Sequence, residues 1–263
     1  MVDDNTGSIR GSMILFKPQA RPVLSRLAAA CLAFCATVPV SQSSSACSLA
    51  LVIAMDGSSS VSPEEHNLQL RGLAEALNDG DVRTAIQAVG GIWFSSFEWS
   101  GRYQQTMQVG WRYLNAEDSI TQTAADLARS KRGYTEFPTA LGYALGYASN
   151  YLAKVPGTCA RKVIDVAGDG INNEGFDAAA AYRAFAFDGI TVNGLAIAGA
   201  KPDPVAYYRD KVIRGPGAFV EVAKGFDDYK SAMKRKLLRE IGTANYASLQ
   251  PELRPETFSH GRR

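Results

Sequence analysis

The chain has 263 residues, 46% of them hydrophobic, with a formal net charge of +2. That suits a single α/β domain with a sizeable core. No long basic run is present, which excludes a strong electrostatic footprint for nucleic acid, and two histidines are too few for a His-rich metal site and weaken a Ser-His-Asp scheme.

Residues 1–46 read as an export signal and N-terminal extension. Lys17, Arg21 and Arg26 supply a positive flank, and Leu27 to Val38 is an apolar stretch too short to span a bilayer. Pro39 breaks it, and Ser44-Ser45-Ala46 fits a signal-peptidase site. Met13 is an alternative start that gives a more ordinary signal length. The mature chain is expected to be periplasmic or secreted, without a transmembrane segment. Cys47 follows the cut directly, but Ser44 stands where a lipidation site wants Leu, so a lipoprotein is the weaker alternative. Cys31 and Cys35 leave with the signal. In an exported protein the two remaining cysteines, Cys47 and Cys159, favour a disulfide over two free thiols.

Leu49 to Met55 is a continuous apolar run, the pattern of a strand buried on both faces of a parallel sheet. Asp56-Gly57-Ser58-Ser59-Ser60 leaves its carboxyl end with three oxygen donors at alternate positions, where open α/β sheets bind ligands. Hard cations such as Mg²⁺ take such donors. Ser62-Pro63-Glu64-Glu65 is a capping box opening a helix to about Leu77, with Leu70, Leu73, Ala74 and Leu77 inward, and Asn78-Asp79-Gly80 ends it. After Gly90-Gly91, Ile92 to Glu98 reads as a strand, and Gln105 to Val109 as its hairpin partner at the sheet edge. Ala116 to Ser130 and Ala140 to Leu152 read as helices, the second opened by Thr139. Tyr143, Tyr147 and Tyr151 form one face of it, better suited to packing than to a ligand cage. A strand at Val163 to Ala167 leads into Gly168-Asp169-Gly170-Ile171-Asn172-Asn173. Asp165, buried mid-strand, must be paired or hydrogen-bonded; a plain structural bond is favoured over a role behind Asp169. A helix over 176–187, a strand over 190–197, a short helix over 202–212 and a short strand over 218–222 follow. The last helix carries Phe226, Tyr229, Met233, Leu237 and Ile241 at helical spacing with Lys and Arg outside, and residues 243–263 read as a disordered tail. Alternating strands and helices predict a doubly wound α/β fold, mostly parallel, with one antiparallel edge strand and helices on both faces.

The segment 47–242 resembles a von Willebrand factor type A domain, the integrin inserted-domain family, and less specifically a bacterial group of exported A-domain proteins of unknown function. The resemblance rests on Asp56-x-Ser58-x-Ser60, on the Thr139-Ala-Leu-Gly segment and on Asp169 after the fourth strand. Gly-Asp-Gly stands where the family has Thr-Asp-Gly, and Thr135 is the alternative for the threonine role. It implies a metal-ion-dependent adhesion site for Mg²⁺ or Mn²⁺. Ser58 and Ser60 would bind directly, Thr139 directly or through water, and Asp56 and Asp169 would balance charge mostly through water. Such a site captures an acidic group of an unknown partner protein or ligand and is no enzyme. Glu98 and Trp99 are candidates to flank it, with hairpin packing the plainer role for Trp99. The family's strand order also makes the strands after Cys47 and Cys159 parallel neighbours, bringing both cysteines to the opposite rim. Two other functions compete. Gly168 to Asn173 resembles the metal loop of haloacid-dehalogenase-type phosphatases, but Ala54 stands where their nucleophile would be and Asn173 replaces an acid. The other is a metal-free A-domain scaffold.

Overall fold

β1 (Cys47–Asp56) divides its side chains between two cores, as a strand covered on both faces must. Leu49, Leu51, Ile53 and Met55 enter one, and Ala50, Val52 and Ala54 the other. The computed structural model describes residues 47–248, with backbone alone for 243–248. The export segment expected over 1–46 and the stretch 249–263 of the expected tail lie outside the described residues.

α1 (Pro63–Leu77) begins as its capping box requires: Ser62 Oγ accepts from Glu65 N at 3.2 Å and Glu65 Oε2 accepts from Ser62 N at 2.8 Å. Asn78 caps its end, but Asp79 at once caps a further helix that the apolar pattern did not reveal, α2 (Gly80–Ala88). β2 (Ile92–Trp99) and β3 (Gln105–Leu114) form the expected hairpin, with β3 five residues longer than its alternation indicated. α3 (Glu117–Arg129), α4 (Leu141–Leu152), β4 (Cys159–Gly168), α5 (Ala178–Ala184) and β5 (Ile190–Ile197) follow. α6 (Pro204–Tyr207) runs into a π turn over Tyr208–Val212, then come β6 (Val220–Ala223) and α7 (Tyr229–Ser248). The backbone of α7 continues beyond Gly242.

The sheet order is β3-β2-β1-β4-β5-β6, with β2–β3 antiparallel and every other pair parallel. This is the expected mostly parallel α/β sheet with an antiparallel edge. α1, α2, α3 and α7 cover one face; α4, α5 and the Tyr208–Val212 turn cover the other. Strand order reverses between β1 and β4, so a crevice opens at their carboxyl ends. At the opposite rim Cys47 pairs in register with Cys159, and the two are disulfide-bonded with Cα atoms 4.4 Å apart. No helix among the described residues is long and apolar enough to cross a membrane.

Candidate metal centre

Three turns meet at the crevice. The first leaves β1: Asp56 is fully buried, and its Oδ1 accepts from Ser58 N at 2.8 Å, which closes the turn. Ser58 Oγ lies 3.1 Å from Ser60 Oγ, and Ser60 Oγ donates to Asp169 Oδ1 at 3.1 Å. Asp169 leaves β4 at the second turn. Gly168 permits the approach, since a Cβ there would stand 2.8 Å from Asp56 Oδ2. The third turn carries Thr139, which lines one cleft of about 150 Å³ with Ser60 and Asp169. Thr139 sits in the loop before α4 and does not open the helix; Ala140 takes the N-cap position. Thr139 N donates to Asn173 Oδ1 at 2.8 Å, and Asn173 N donates back to Thr139 O at 3.0 Å. Thr135 is exposed in the same loop and does not line that cleft.

The electrostatics suit a cation. Asp56 is pushed up to about 7, first by burial and then by the charge of Asp169, against its hydrogen bonds from Ser58 and the charge of Arg132. Asp169 is also raised by burial, which its bond from Ser60 opposes. Asp56 Oδ2 is buried and has no hydrogen-bond partner. A buried carboxylate oxygen left unpaired is costly, and a bound cation would remove that cost. The donor set of two carboxylates and three hydroxyls fits a hard ion. Among the described residues no three His, Cys, Asp or Glu side chains cluster as a carboxylate-rich or imidazole-rich cage.

Arg132, which the sequence pattern did not single out, and Glu98 hold this geometry. Arg132 donates from Nη2 to Gly57 O and Ser58 O, both at 2.9 Å, from Nη1 to Val61 O at 2.8 Å and from Nε to Tyr134 O at 2.7 Å. It therefore laces the Thr139 loop to the serine turn, and Ser59 N adds a bond to Phe137 O at 2.8 Å. Glu98 is buried behind Gly57, with Oε2 2.7 Å from His66 Nε2 and Oε1 accepting from Gly133 N at 3.1 Å. Trp99 pairs in register with Asp56, and its indole is fully buried in the sheet core, so it supports the turn from beneath and does not face the rim. Asp165 faces α7 instead of the crevice and pairs with Lys236 at 3.0 Å. The three tyrosines of α4 pack: Tyr143 stacks on Phe176, Tyr147 meets Phe97, and Tyr151 stacks on Trp111.

The chain shares this fold with several solved structures. Proximal thread matrix protein 1 from the mussel byssus, solved with a zinc-occupied MIDAS motif, aligns at 15% identity with a TM-score of 0.52, over 74% of this chain and 48% of that one. A von Willebrand factor type A protein from Catenulispora acidiphila aligns at 14% and 0.54, over 73% and 42%. The pilus adhesin SpaC from Lactobacillus rhamnosus GG aligns at 13% and 0.53, over 74% and 31%. The chain thus spans less than half the length of each, and at such identities the likeness is one of fold. No curated protein matches it in sequence. Residues 46–245 match the family described as protein of unknown function DUF1194. The chain belongs to that family, and its fold is von Willebrand A-like.

Proposed function

We propose that this protein is an exported binding module that holds Mg²⁺ or Mn²⁺ at the crevice and uses it to capture an acidic group of a partner. The observation that carries the reading is the chain of contacts Asp56–Ser58–Ser60–Asp169, which joins the ends of β1 and β4 around a carboxylate oxygen with no partner. In this reading Ser58, Ser60 and Thr139 offer hydroxyls, while Asp56 and Asp169 balance charge. When bound, the ion supplies an electrophilic open position for an incoming carboxylate. Neutral direct donors leave it that character. Arg132 and Glu98 keep the turn in place. The proximal thread matrix protein with its zinc-occupied MIDAS supports the reading by likeness of fold.

Phosphatase chemistry at this crevice would need a nucleophile two residues before Asp56. Ala54 occupies that position, a methyl group packed in the sheet core. Isothermal calorimetry with Mg²⁺ and Mn²⁺ tests the proposal. We expect one site in the wild-type chain and none in Asp56→Ala. No heat from the wild type, or the same heat from the variant, would leave a metal-free scaffold as the better account.

A further inference from the structure

Among the described residues three large apolar side chains are exposed: Leu68 at 39%, Tyr103 at 78% and Tyr134 at 37%. Single exposed apolar residues are ordinary, but Leu68 lines a cleft at the candidate site, and Tyr103 and Tyr134 pack on residues of the loops next to it. Leu68, near the start of α1, lines a cleft of about 630 Å³ together with Ser60 and Asp169. Tyr134 packs edge-on against Phe137, at 5.3 Å between ring centroids, and Phe137 O accepts from Ser59 N. Tyr103 lies in the turn between β2 and β3 and meets Tyr143 at 5.8 Å. Its neighbour Arg102 pairs with Glu174, whose N–H donates to Thr139 O. Leu68 is thus in the cleft itself, while Tyr134 and Tyr103 connect to the serine turn and the Thr139 loop through Phe137 and through Arg102 with Glu174.

The two clefts share Ser60, Asp169 and Ala200, so one groove passes over the candidate cation position. Its ends differ in charge. On the Thr139 side Lys201 is the one basic residue in the lining, and it has no ion-pair partner among the described residues. On the other side Lys224 shares the lining with Glu65 and Asp227, and Leu68 and Phe226 form an apolar wall.

Building on the metal reading, we propose that this groove docks an extended segment of a partner protein. One acidic side chain of the segment meets the cation, a second acid lies toward Lys201, and an apolar side chain packs on Leu68 and Phe226. Tyr103 and Tyr134 seat the partner's surface around it. A small organic acid would use the cation alone and leave these apolar side chains in water. A protein surface covers them, and tyrosine is the residue type such interfaces favour.

A random linear peptide library displayed on phage, panned on the chain in Mg²⁺ and eluted with EDTA, tests this. The expected clones share an acid with an apolar residue on one side and a second acid on the other. A synthetic peptide of that consensus should lose about tenfold in affinity on Lys201→Ser, on Leu68→Ser, and on the double change Tyr103→Ser with Tyr134→Ser. All three variants should retain wild-type Mg²⁺ calorimetry. Clones defined by an isolated acid alone, peptide affinities unmoved by these variants, or no EDTA-eluted clones from a chain that binds Mg²⁺ would each overturn the docking proposal while leaving the metal site standing. Absence of Mg²⁺ binding in calorimetry would overturn both.

Discussion

Gly57 has no room for a side chain. A Cβ there would lie 2.6 Å from Glu98 Cγ, and Glu98 is fixed by His66 and by Gly133 N. Gly57→Ala must therefore move either Glu98 or the serine turn, at a cost of about 1–3 kcal/mol. A lowered urea midpoint together with weakened Mg²⁺ affinity is the expected result, because Gly57 separates Asp56 from Ser58. The candidate donors of the serine turn are named from the sequence alone. Asp56, Ser58 and Ser60 declare themselves by local spacing after an apolar run. The residues that hold them were not legible, because their contacts are distant along the chain. Arg132 reaches back 75 and 74 positions to Gly57 and Ser58, and Asn173 reaches Thr139 across 34. Glu98 illustrates the same limit. Strand position put Glu98 and Trp99 near the rim. Packing, the plainer role for Trp99, is the one the structure gives it. The bonds of Glu98 to His66 and Gly133 come from segments the strand pattern does not connect.

α7 is anchored to the sheet by charge as well as by its apolar stripe. Lys236 is fully buried, 3.0 Å from Asp165 and 2.7 Å from Glu240, and Asn193 donates to the same Glu240 oxygen at 2.9 Å. Helical periodicity had put the lysines of this helix outside. Lys236 sits about one turn after Met233 and next to Leu237 of the stripe, close enough for β4 and Phe219 to cover it. Its partner was legible: an aspartate in mid-strand demands a bond, though the sequence could not say with what. One ammonium serves two carboxylates here, and burial pushes Asp165 up to about 7, with Glu240 adding to that and Lys236 opposing it. The folded state thus holds this proton more tightly than an unfolded chain whose aspartates titrate near 3.8. Between those values the folded state binds more protons, so stability falls as pH rises across that window. Asp165→Asn should flatten this part of a pH-stability profile measured by urea unfolding. Lys236→Ala strands two buried carboxylates and should cost about 3–5 kcal/mol, read as a large drop in the same midpoint.

The molecule as a whole is organised about two strands. β1 and β4 present Asp56 and Asp169 at one rim and are bridged at the other by Cys47–Cys159, across a sequence separation of 112. The strand order that makes this possible was legible from the alternation of elements and the family pattern. α2 was not, because nine residues carrying only two buried side chains leave little periodicity to read. Replacing both cysteines by serine should lower stability by up to about 4–5 kcal/mol on the chain-entropy account, with Mg²⁺ affinity unchanged because the bond and the crevice occupy opposite rims. Urea unfolding and calorimetry of the double variant check both halves. The same layout has a mechanical meaning. A force probe attached at the amino end of β1, pulling against a hold at the crevice, would load β1 lengthwise. Its ladders to β2 and β4 are then loaded in shear, many hydrogen bonds at once, instead of being unzipped one by one. The sulfur bridge passes part of that tension to β4 before any ladder bond is strained, so both walls of the crevice bear the load together.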